Sequence, residues 1–228
     1  MSGKRIPGTR IPGKRILWGA GTSRTIRPHW ALHELGLSYE CRPILPRTGE
    51  TQTAEYTALT ARQKIPLLQD DGLVITESAA IVTYLSDAYG QDQNRLVPLD
   101  VRERAACLEW CFFVISELDA TSLYVMRRHG DLAHIYGGAP VATEAAAAYF
   151  GKQMRSVERA LDDGRPFILG ARFSAADILL STCLSWAVRY GVAVPERALA
   201  YNQGMTARPS YVEAKQRNEP PARAQANA

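Results

Sequence analysis

The sequence predicts an α/β domain with the element order βαβαββα, followed by an all-helical domain. Up to about residue 90, short apolar and β-branched runs alternate with stretches of helical periodicity. Residues 91–100 are polar and contain one proline, which is typical of a linker, and beyond them only helical periodicity remains. No apolar run approaches the ~20 residues of a membrane span, and no signal-peptide pattern is present. We therefore expect a soluble, cytoplasmic protein with domains at residues 14–90 and 101–217.

The two ends of the chain differ in composition from its body. Residues 1–13 carry the tetrapeptide Arg-Ile-Pro-Gly twice, and residues 218–228 are rich in alanine with two prolines. Neither end can bury a core, so both are predicted to be disordered. We interpret the basic leader as an inert tail, with a targeting or RNA-contacting arm as the alternative.

The net charge of +4 belongs to the leader rather than to the body. The chain has 27 basic and 23 acidic residues, and five of the basic residues lie within residues 1–15, which contain no acid. Without those five, 22 basic residues face 23 acidic ones, so the body is close to neutral. A near-neutral body argues against nucleic acid as a partner.

Each element of the first domain has a local signal. Asp70-Asp71-Gly72 between two β-branched runs indicates a hairpin turn, and Gly36 stops the first helix. Thr76-Glu77-Ser78 places a capping hydroxyl and an acid at the first turn of a helix that follows directly on a strand, and such a helix end can hold an anion. The apolar face of this helix is predicted to be Ala80, Ile81, Tyr84 and Leu85. The predicted elements are strands at 15–18 and 39–45, helices at 26–35 and 50–59, a hairpin at 65–75 and a helix at 77–89.

The second domain shows helical signals throughout. Ser174 to Asp177 has the form of a capping box, and it opens an apolar helix that must be central. We assign this box and Asp177 to the fold and not to catalysis. The predicted helices lie at 101–129, 142–163 and 174–190, with shorter ones near 195–205 and 209–216.

The cysteine pattern indicates no special chemistry. Cys41, Cys107, Cys111 and Cys183 show neither CxxC nor Cys/His metal spacing, so we predict neither a zinc site nor a disulfide framework. Cys107 and Cys111 lie four residues apart on an apolar helix face, where small buried side chains are the expected role.

Four stretches of the chain resemble the glutathione transferase family. Residues 22–40 match the family's first loop and helix, and residues 63–85 place Ile65-Pro66 before a hairpin and Glu77-Ser78 at a helix start. Residues 167–170 and 208–211 match motifs of its helical domain. The resemblance covers about residues 15–217 and is to bacterial-type members with a serine in the active-site loop. It implies a thioredoxin-like first domain, a homodimer, a role in detoxification, and no metal or cofactor besides glutathione as co-substrate.

The resemblance also implies how glutathione is held. In the family the proline is cis, and the backbone of the preceding residue, here Ile65 before Pro66, pairs with the cysteinyl part of glutathione. Glu77 would accept from the γ-glutamyl amine, while Ser78 and the helix end would donate to its carboxylate. Lys64 is the candidate for the glycyl carboxylate, with a solvated surface lysine as the alternative, and Gln52 or Gln63 assists.

The approach to Pro66 departs from the family pattern. Where Asn-Pro-x-Gly-Lys-Val-Pro is common in the family, this chain has Thr-Ala-Arg-Gln-Lys-Ile-Pro at residues 60–66. The loop has lost one proline and one glycine. We therefore expect it to turn differently.

The loop after Trp18 is predicted to supply the chemistry, because ligand sites collect beyond the carboxyl ends of strands in open α/β sheets. Aligning Arg27 with the family's serine-type pattern puts the catalytic hydroxyl on Ser23, with Thr22, Thr25 and Arg24 as the alternatives. A free thiol has a pKa near 8.5, and lowering it by about two units requires roughly 2.7 kcal/mol of preference for the thiolate. One charge-assisted hydrogen bond of ~1.5–3 kcal/mol and a helix N-terminus worth ~0.3–1 kcal/mol are nearly sufficient.

A second substrate is expected between this loop and the first long helix of the helical domain. Tyr124, Arg127 and Arg128 lie in the second half of that helix and are candidates to polarise an electrophile or bind an acidic one. The alternative is a solvated basic helix end that favours the helix dipole.

The predicted function is a glutathione transferase that directs the thiolate at a hydrophobic or acidic electrophile. Glutathione-dependent isomerisation, dehalogenation and disulfide reduction use the same thiolate and remain alternatives. The absence of Cys and Tyr between Gly19 and Pro28 speaks against thiol exchange. A non-catalytic binding protein with the same fold is the alternative of a different class.

Overall fold

The computed structural model describes residues 14–222, so the predicted leader and residues 223–228 of the predicted tail lie outside the described residues. Four strands form one mixed sheet with the order β2-β1-β3-β4. β1 pairs parallel with β2 and antiparallel with β3, which pairs antiparallel with β4. The strands are β1 (Ile16–Trp18), β2 (Glu40–Arg42), β3 (Leu67–Asp70) and β4 (Leu73–Thr76).

Three α-helices complete the first domain, and its predicted element order and fold class are confirmed. α1 connects the parallel strands and packs against α3. The second strand is shorter than predicted, because Pro43 follows it and has no N–H for the ladder. The helices are α1 (Ile26–Glu34), α2 (Ala54–Leu59), which follows a 3₁₀ turn at Glu50–Gln52, and α3 (Ser78–Tyr89).

The predicted apolar face of α3 needs one correction. Ile81 and Leu85 are buried and Tyr84 is half-buried, but Ala80 is exposed and Val82 is buried in its place. The buried arc is shifted because α3 packs on two sides, against α1 and against the helical domain.

The helical domain contains one element type that periodicity did not predict. Residues 101–129 are helical throughout, but the middle of this run is a π-helical segment, Val114–Leu123. The short helix α6 was also not predicted. The helices are α4 (Val101–Phe113), α5 (Tyr124–His129), α6 (Ala133–Tyr136), α7 (Pro140–Ala160), α8 (Ala175–Arg189), α9 (Glu196–Thr206) and α10 (Pro209–Arg217).

Helix α8 lies at the centre of the core, as predicted. Residues 175–184 are all buried, and the capping box between Ser174 and Asp177 is present. Asp177 also accepts hydrogen bonds from the Ile168 amide at 2.7 Å and the Tyr201 hydroxyl at 2.6 Å, so it ties the preceding loop and α9 to α8.

The thiols of Cys107, Cys111 and Cys183 are free and buried, and that of Cys41 is free and half-buried. Among residues 14–222, no helix is long and apolar enough to cross a membrane.

Candidate active site

A cleft lies between the first loop of the α/β domain and the helical run at residues 114–129. It contains two adjoining cavities, an inner one of about 170 Å³ and an outer one of about 260 Å³. Both cavities are lined by Arg24, Arg62, Lys64 and Ile65. A ligand in the cleft can therefore extend from one cavity into the other.

The start of α3 and the Ile65-Pro66 segment line the inner cavity. The peptide bond between Ile65 and Pro66 is cis, as predicted. Ser78 is buried, and its hydroxyl oxygen accepts a hydrogen bond from Arg27 at 3.2 Å, so the Ser78 proton stays available to donate. The cavity thus presents a hydroxyl proton next to the unpaired N–H groups of a helix end, which together suit an anion.

Glu77 directly precedes α3 and has an unusual backbone conformation, with φ 70° and ψ 116°. The predicted capping hydroxyl and first-turn acid are wrong, because Glu77 occupies the N-cap position without a side-chain cap and the helix begins at Ser78. The Glu77 side chain is 68% exposed and pairs with Arg62 at 3.2 Å. Such an exposed pair is weak, so the carboxylate remains available to an ammonium group of a ligand. Non-glycine residues at positive φ cluster at ligand sites.

Beneath the cleft lies a buried ion cluster that sequence reasoning missed. Asp119, in the π-helical segment, is 2% exposed and accepts from Arg27 at 2.7 Å and from Arg24 Nε at 3.0 Å. The Arg27 side chain is fully buried, whereas that of Arg24 is 35% exposed and its guanidinium stacks on Tyr124 at 4.5 Å. Two guanidinium groups share one carboxylate, so the cluster has a net charge of +1 towards the inner cavity.

Hydrogen-bond geometry assigns the hydroxyl protons of the first loop. The Thr25 hydroxyl lies 2.6 Å from Asn218 Oδ1 and 3.0 Å from the Thr22 carbonyl, both of which can only accept, so its single proton is used in these two contacts. The Thr22 hydroxyl lies 3.0 Å from that of Thr25 and must donate to it, because otherwise two acceptor oxygens would face each other. Asn218 Nδ2 donates to the Thr22 carbonyl at 3.2 Å, which fixes the orientation of the amide. Neither threonine has a proton left for a ligand.

Ser23 is the remaining hydroxyl of this loop. It is half-buried and lines the outer cavity, and its oxygen accepts from Arg189 at 3.3 Å. Within residues 14–222, no group accepts the Ser23 proton. Among the four loop candidates, Ser23 is therefore the hydroxyl that can donate to a ligand thiolate.

The loop approaches the Ile65 segment closely, and only glycine allows this approach. Gly19 has φ 108°, and a Cβ atom on it would lie 2.6 Å from the Cβ of Ile65. The side chain of any other residue would push Ile65 out of the wall that it gives to both cavities.

The loop before Pro66, where the sequence departs from the family pattern, turns at Gln63. Gln63 takes a left-handed conformation with φ 51°, and its amide donates to the Thr57 hydroxyl at 3.0 Å. The Tyr56 hydroxyl donates to the Lys64 carbonyl at 2.7 Å and so supports the loop from below. Gln63 lines the outer cavity but is already tied to α2.

The outer cavity brings together several of the predicted site residues. Gln52 and Lys64 are exposed at its edge, and Tyr124 and Arg127 form part of the wall from the helical domain. Arg128 is exposed, lines neither cavity and stacks on Tyr136 at 4.7 Å. The structure therefore places Arg127, and not Arg128, in the cleft.

Asn218 was predicted to begin a disordered tail, but the structure ties it to the active-site loop. Besides its side-chain bonds to Thr22 and Thr25, its carbonyl accepts from the Gly21 amide at 2.7 Å. This contact joins positions almost two hundred residues apart, which no local pattern could reveal.

We expect Asn218→Ala to lower the free energy of unfolding by about 1–3 kcal/mol, because it removes the side-chain hydrogen bonds of Asn218 to the Thr25 hydroxyl and the Thr22 carbonyl. Urea unfolding measures this loss. The control is Gln216→Ala on the exposed face of α10, which should change stability by no more than about 0.5 kcal/mol. Equal stability of the two variants would show that the Asn218 contacts do not hold the loop.

Two signals in the sequence pointed towards the missed cluster. Asp119 stands between Leu118 and Ala120 in the long predicted helix, and Arg27 follows Ile26 on the helix that also carries Trp30. Charged residues are almost never fully buried unless they are paired, so each predicts a partner. The identity of that partner depends on the packing of the two domains.

Comparisons with known proteins agree on one family. Residues 14–87 match the family model described as "Glutathione S-transferase, N-terminal domain", and residues 140–210 match "Glutathione S-transferase, C-terminal domain". Glutathione S-transferase GstA of Escherichia coli O157:H7 is 31% identical over 163 residues, which are 70% of this chain and 76% of the relative. Maleylacetoacetate isomerase of Dictyostelium discoideum is 26% identical over 211 residues, or 91% of this chain and 94% of the relative.

Solved structures show the same fold. The glutathione transferase URE2P6 from Phanerochaete chrysosporium, solved in complex with oxidized glutathione, superposes with a TM-score of 0.78 at 21% identity, over 90% of this chain and 96% of that one. A glutathione transferase from Methylococcus capsulatus has a TM-score of 0.74 at 27% identity, over 89% of this chain and 97% of that one.

Proposed function

The chain belongs to the glutathione S-transferase family, and on this basis we propose that it binds glutathione in the cleft and activates the thiol for attack on a small electrophile. The observation that carries the proposal is the pairing of an anion-binding helix end in the inner cavity with the free hydroxyl proton of the loop residue Ser23 in the outer cavity. Both lie within reach of one extended tripeptide along Ile65.

The inner cavity suits the γ-glutamyl end of glutathione. Its carboxylate would accept from Ser78 and from the first N–H groups of α3, and the net positive charge of the Arg24–Asp119–Arg27 cluster adds to the attraction. The γ-glutamyl ammonium group would pair with the Glu77 carboxylate and replace Arg62 as its partner. At the other end of the tripeptide, the glycyl carboxylate would meet Lys64 and Gln52 at the edge of the outer cavity.

Ser23 would stabilise the thiolate as a donor and need not ionise. A hydrogen bond to a charged sulfur contributes ~1.5–3 kcal/mol, and the N-terminus of α1, which begins at Ile26, contributes ~0.3–1 kcal/mol. Together, the two contributions are close to the roughly 2.7 kcal/mol that lowering the thiol pKa by two units requires. The Arg189 guanidinium, which donates to the Ser23 oxygen, makes the hydroxyl a stronger donor.

Glutathione binding tests the proposal through Glu77. We expect Glu77→Ala to weaken glutathione binding about tenfold, because it removes the acceptor of the γ-glutamyl amine, a contact worth ~1.5–3 kcal/mol to a charged group. The lower end of this range applies because the carboxylate is exposed in the free protein. Isothermal titration calorimetry with reduced glutathione measures the effect.

The matched control is Glu55→Ala, which breaks another exposed Arg–Glu pair, with Arg42 at 2.9 Å, on a helix that lines neither cavity. This variant should bind glutathione like the wild type. A second variant, Glu77→Gly, should lose affinity to the same extent but be more stable than Glu77→Ala, since glycine accepts a positive φ without strain. Wild-type affinity in both Glu77 variants would refute the placement of the γ-glutamyl group.

Glutathione-dependent isomerisation is the second candidate reaction. The relative named maleylacetoacetate isomerase matches over 91% of this chain, and an isomerase would use the same thiolate, by addition and release rather than by displacement. Assays of the purified protein with one substrate for each reaction distinguish isomerisation from conjugation, dehalogenation and disulfide reduction. If glutathione binds but none of these reactions occurs, the chain is a binding protein.

We further propose that the protein is a cytoplasmic homodimer. Large apolar side chains are exposed on several elements, among them Val74 of β4 at 40% and Phe112 of α4 at 69% exposure, which belong to different domains. A second copy that covers both would bury them together. Sedimentation velocity distinguishes the dimer from the monomer.

A further inference from the structure

Arg127 is a cation of the cleft without a counter-ion. It lies half-buried in the wall of the outer cavity that also holds Ser23, and its Nε atom is buried without a hydrogen-bond partner. Among the described residues, no carboxylate forms an ion pair with it. Burial lowers the pKa of Arg127, and the nearby guanidinium groups of Arg47 and Arg189 lower it further, only partly offset by Tyr190 and Asp131.

Glutathione alone does not account for the positive charge of the two cavities. Of the cations that line them, Arg24 and Arg27 are neutralised in part by Asp119, and Arg62 pairs with Glu77. Within residues 14–222, Arg47, Lys64 and Arg127 have no ion-pair partner. Glutathione brings two carboxylates, one of which belongs at the start of α3. The other can engage one of the three cations, and two remain.

The surroundings of Arg127 favour a small, partly planar group with an acceptor. Trp186 and Tyr124 belong to the same cavity wall. The indole N–H of Trp186 is buried and lies near the Tyr190 hydroxyl, so the ring and not its N–H faces a ligand. A guanidinium without an ion-pair partner beside an aromatic surface suits a carboxylate attached to an unsaturated or aromatic body.

We propose that the second substrate is a small electrophile bearing a carboxylate, held by Arg127 with help from Arg47, so that its electrophilic carbon faces the thiolate at Ser23. This inference rests on the proposed function, and it selects the acidic electrophile over the purely hydrophobic one. Arg127 is then the residue that determines specificity. It contacts the substrate and takes no part in activating the thiol.

Two glutathione conjugates test the inference without knowledge of the natural substrate. S-(para-carboxybenzyl)glutathione and S-(para-methylbenzyl)glutathione have the same tripeptide and the same benzyl ring. They differ only in the para substituent, which places a negative charge in the outer cavity in the first conjugate and none in the second. We expect the wild type to bind the carboxylate conjugate about tenfold or more tightly, and Arg127→Gln to abolish this preference while free glutathione binds as before. The preference should also fall with added salt, since it is electrostatic.

The matched control is Arg155→Gln, which removes the same charge from an exposed position on α7, the helix that packs against α5, outside both cavities. It should keep the wild-type preference, and loss of the preference in this variant would show a general charge effect. If Arg127→Gln weakens free glutathione as much as the carboxylate conjugate, Arg127 binds the glycyl carboxylate and the inference is wrong. If the wild type binds glutathione but does not distinguish the two conjugates, the inference fails alone; if glutathione itself does not bind, the proposed function fails first.

Discussion

Replacing Asp119 with asparagine is expected to lower the free energy of unfolding by about 3–5 kcal/mol, because it leaves the guanidinium of Arg27 buried without a counter-charge. The substitution keeps the size of the side chain and one acceptor oxygen, so the loss reports charge rather than volume. The Arg27 side chain is fully buried, so water cannot replace the lost counter-charge. Chemical denaturation with the linear extrapolation method measures the effect.

The matched control for this prediction is Asp87→Asn. Asp87 also accepts two hydrogen bonds from one arginine, Arg104, at 2.7 and 2.8 Å, but the Asp87 side chain is 42% exposed and that of Arg104 is 30% exposed. Exposed pairs are worth about 0–1 kcal/mol, so the control should lose no more than that. Similar losses in Asp87→Asn and Asp119→Asn would mean that the cluster at Asp119 is not electrostatically special.

The stability of the wild type and that of Asp119→Asn should also depend differently on pH. Burial acts to raise the pKa of Asp119, but the guanidinium groups of Arg27 and Arg24 outweigh it, and the pKa lies below its ordinary value of 3.8. A lowered pKa contributes stability above the ordinary value and loses it as the pH falls through the folded value. The stability difference between wild type and Asp119→Asn should therefore be full at neutral pH and shrink below about pH 4.

Replacing Ser23 with alanine is expected to slow conjugation about ten- to a hundred-fold near neutral pH, with little change in glutathione affinity. The hydroxyl donates to the thiolate, so its loss removes roughly 1.5–3 kcal/mol of preference for the anion. The pKa of the bound thiol should rise accordingly. Ultraviolet thiolate absorbance as a function of pH measures this shift independently of any electrophile.

The controls for Ser23 follow from the proton assignment in the loop. Thr22→Val and Thr25→Val remove hydroxyls whose protons are already used within the loop and by Asn218, so these variants should lose stability but keep the thiol pKa of the wild type. With oxidised glutathione, the thiolate of Ser23→Cys should attack the disulfide, keep one glutathione as a mixed disulfide and release the other as its thiolate, which favours reductase chemistry. A wild-type thiol pKa in Ser23→Ala, together with a raised one in Thr22→Val, would transfer the role to Thr22.

Much of the fold could be predicted from local signals. The turn at Asp70-Asp71-Gly72, the stop at Gly36 and the capping box at Ser174 each involve a few neighbouring residues, so their physics is contained in a short stretch of sequence. The π-helical segment Val114–Leu123 could not be predicted, because its apolar periodicity also fits an α-helix. The predicted cap before α3 was wrong, because the turn from β4 places Glu77 itself at the N-cap, in a left-handed conformation.

The sequence by itself determined which groups are present in the candidate site: the loop hydroxyls, Ile65-Pro66, Glu77-Ser78 and a basic end of the long helix. Only the tertiary structure decided among them. It brought Asn218 to the loop and thereby used the protons of Thr22 and Thr25, it paired Arg24 and Arg27 with Asp119, and it placed Arg127 in the cleft while Arg128 stayed outside. The physical reason is that a proton, a charge and a cavity wall are each assigned by partners that are distant in sequence, and packing alone sets which partners meet.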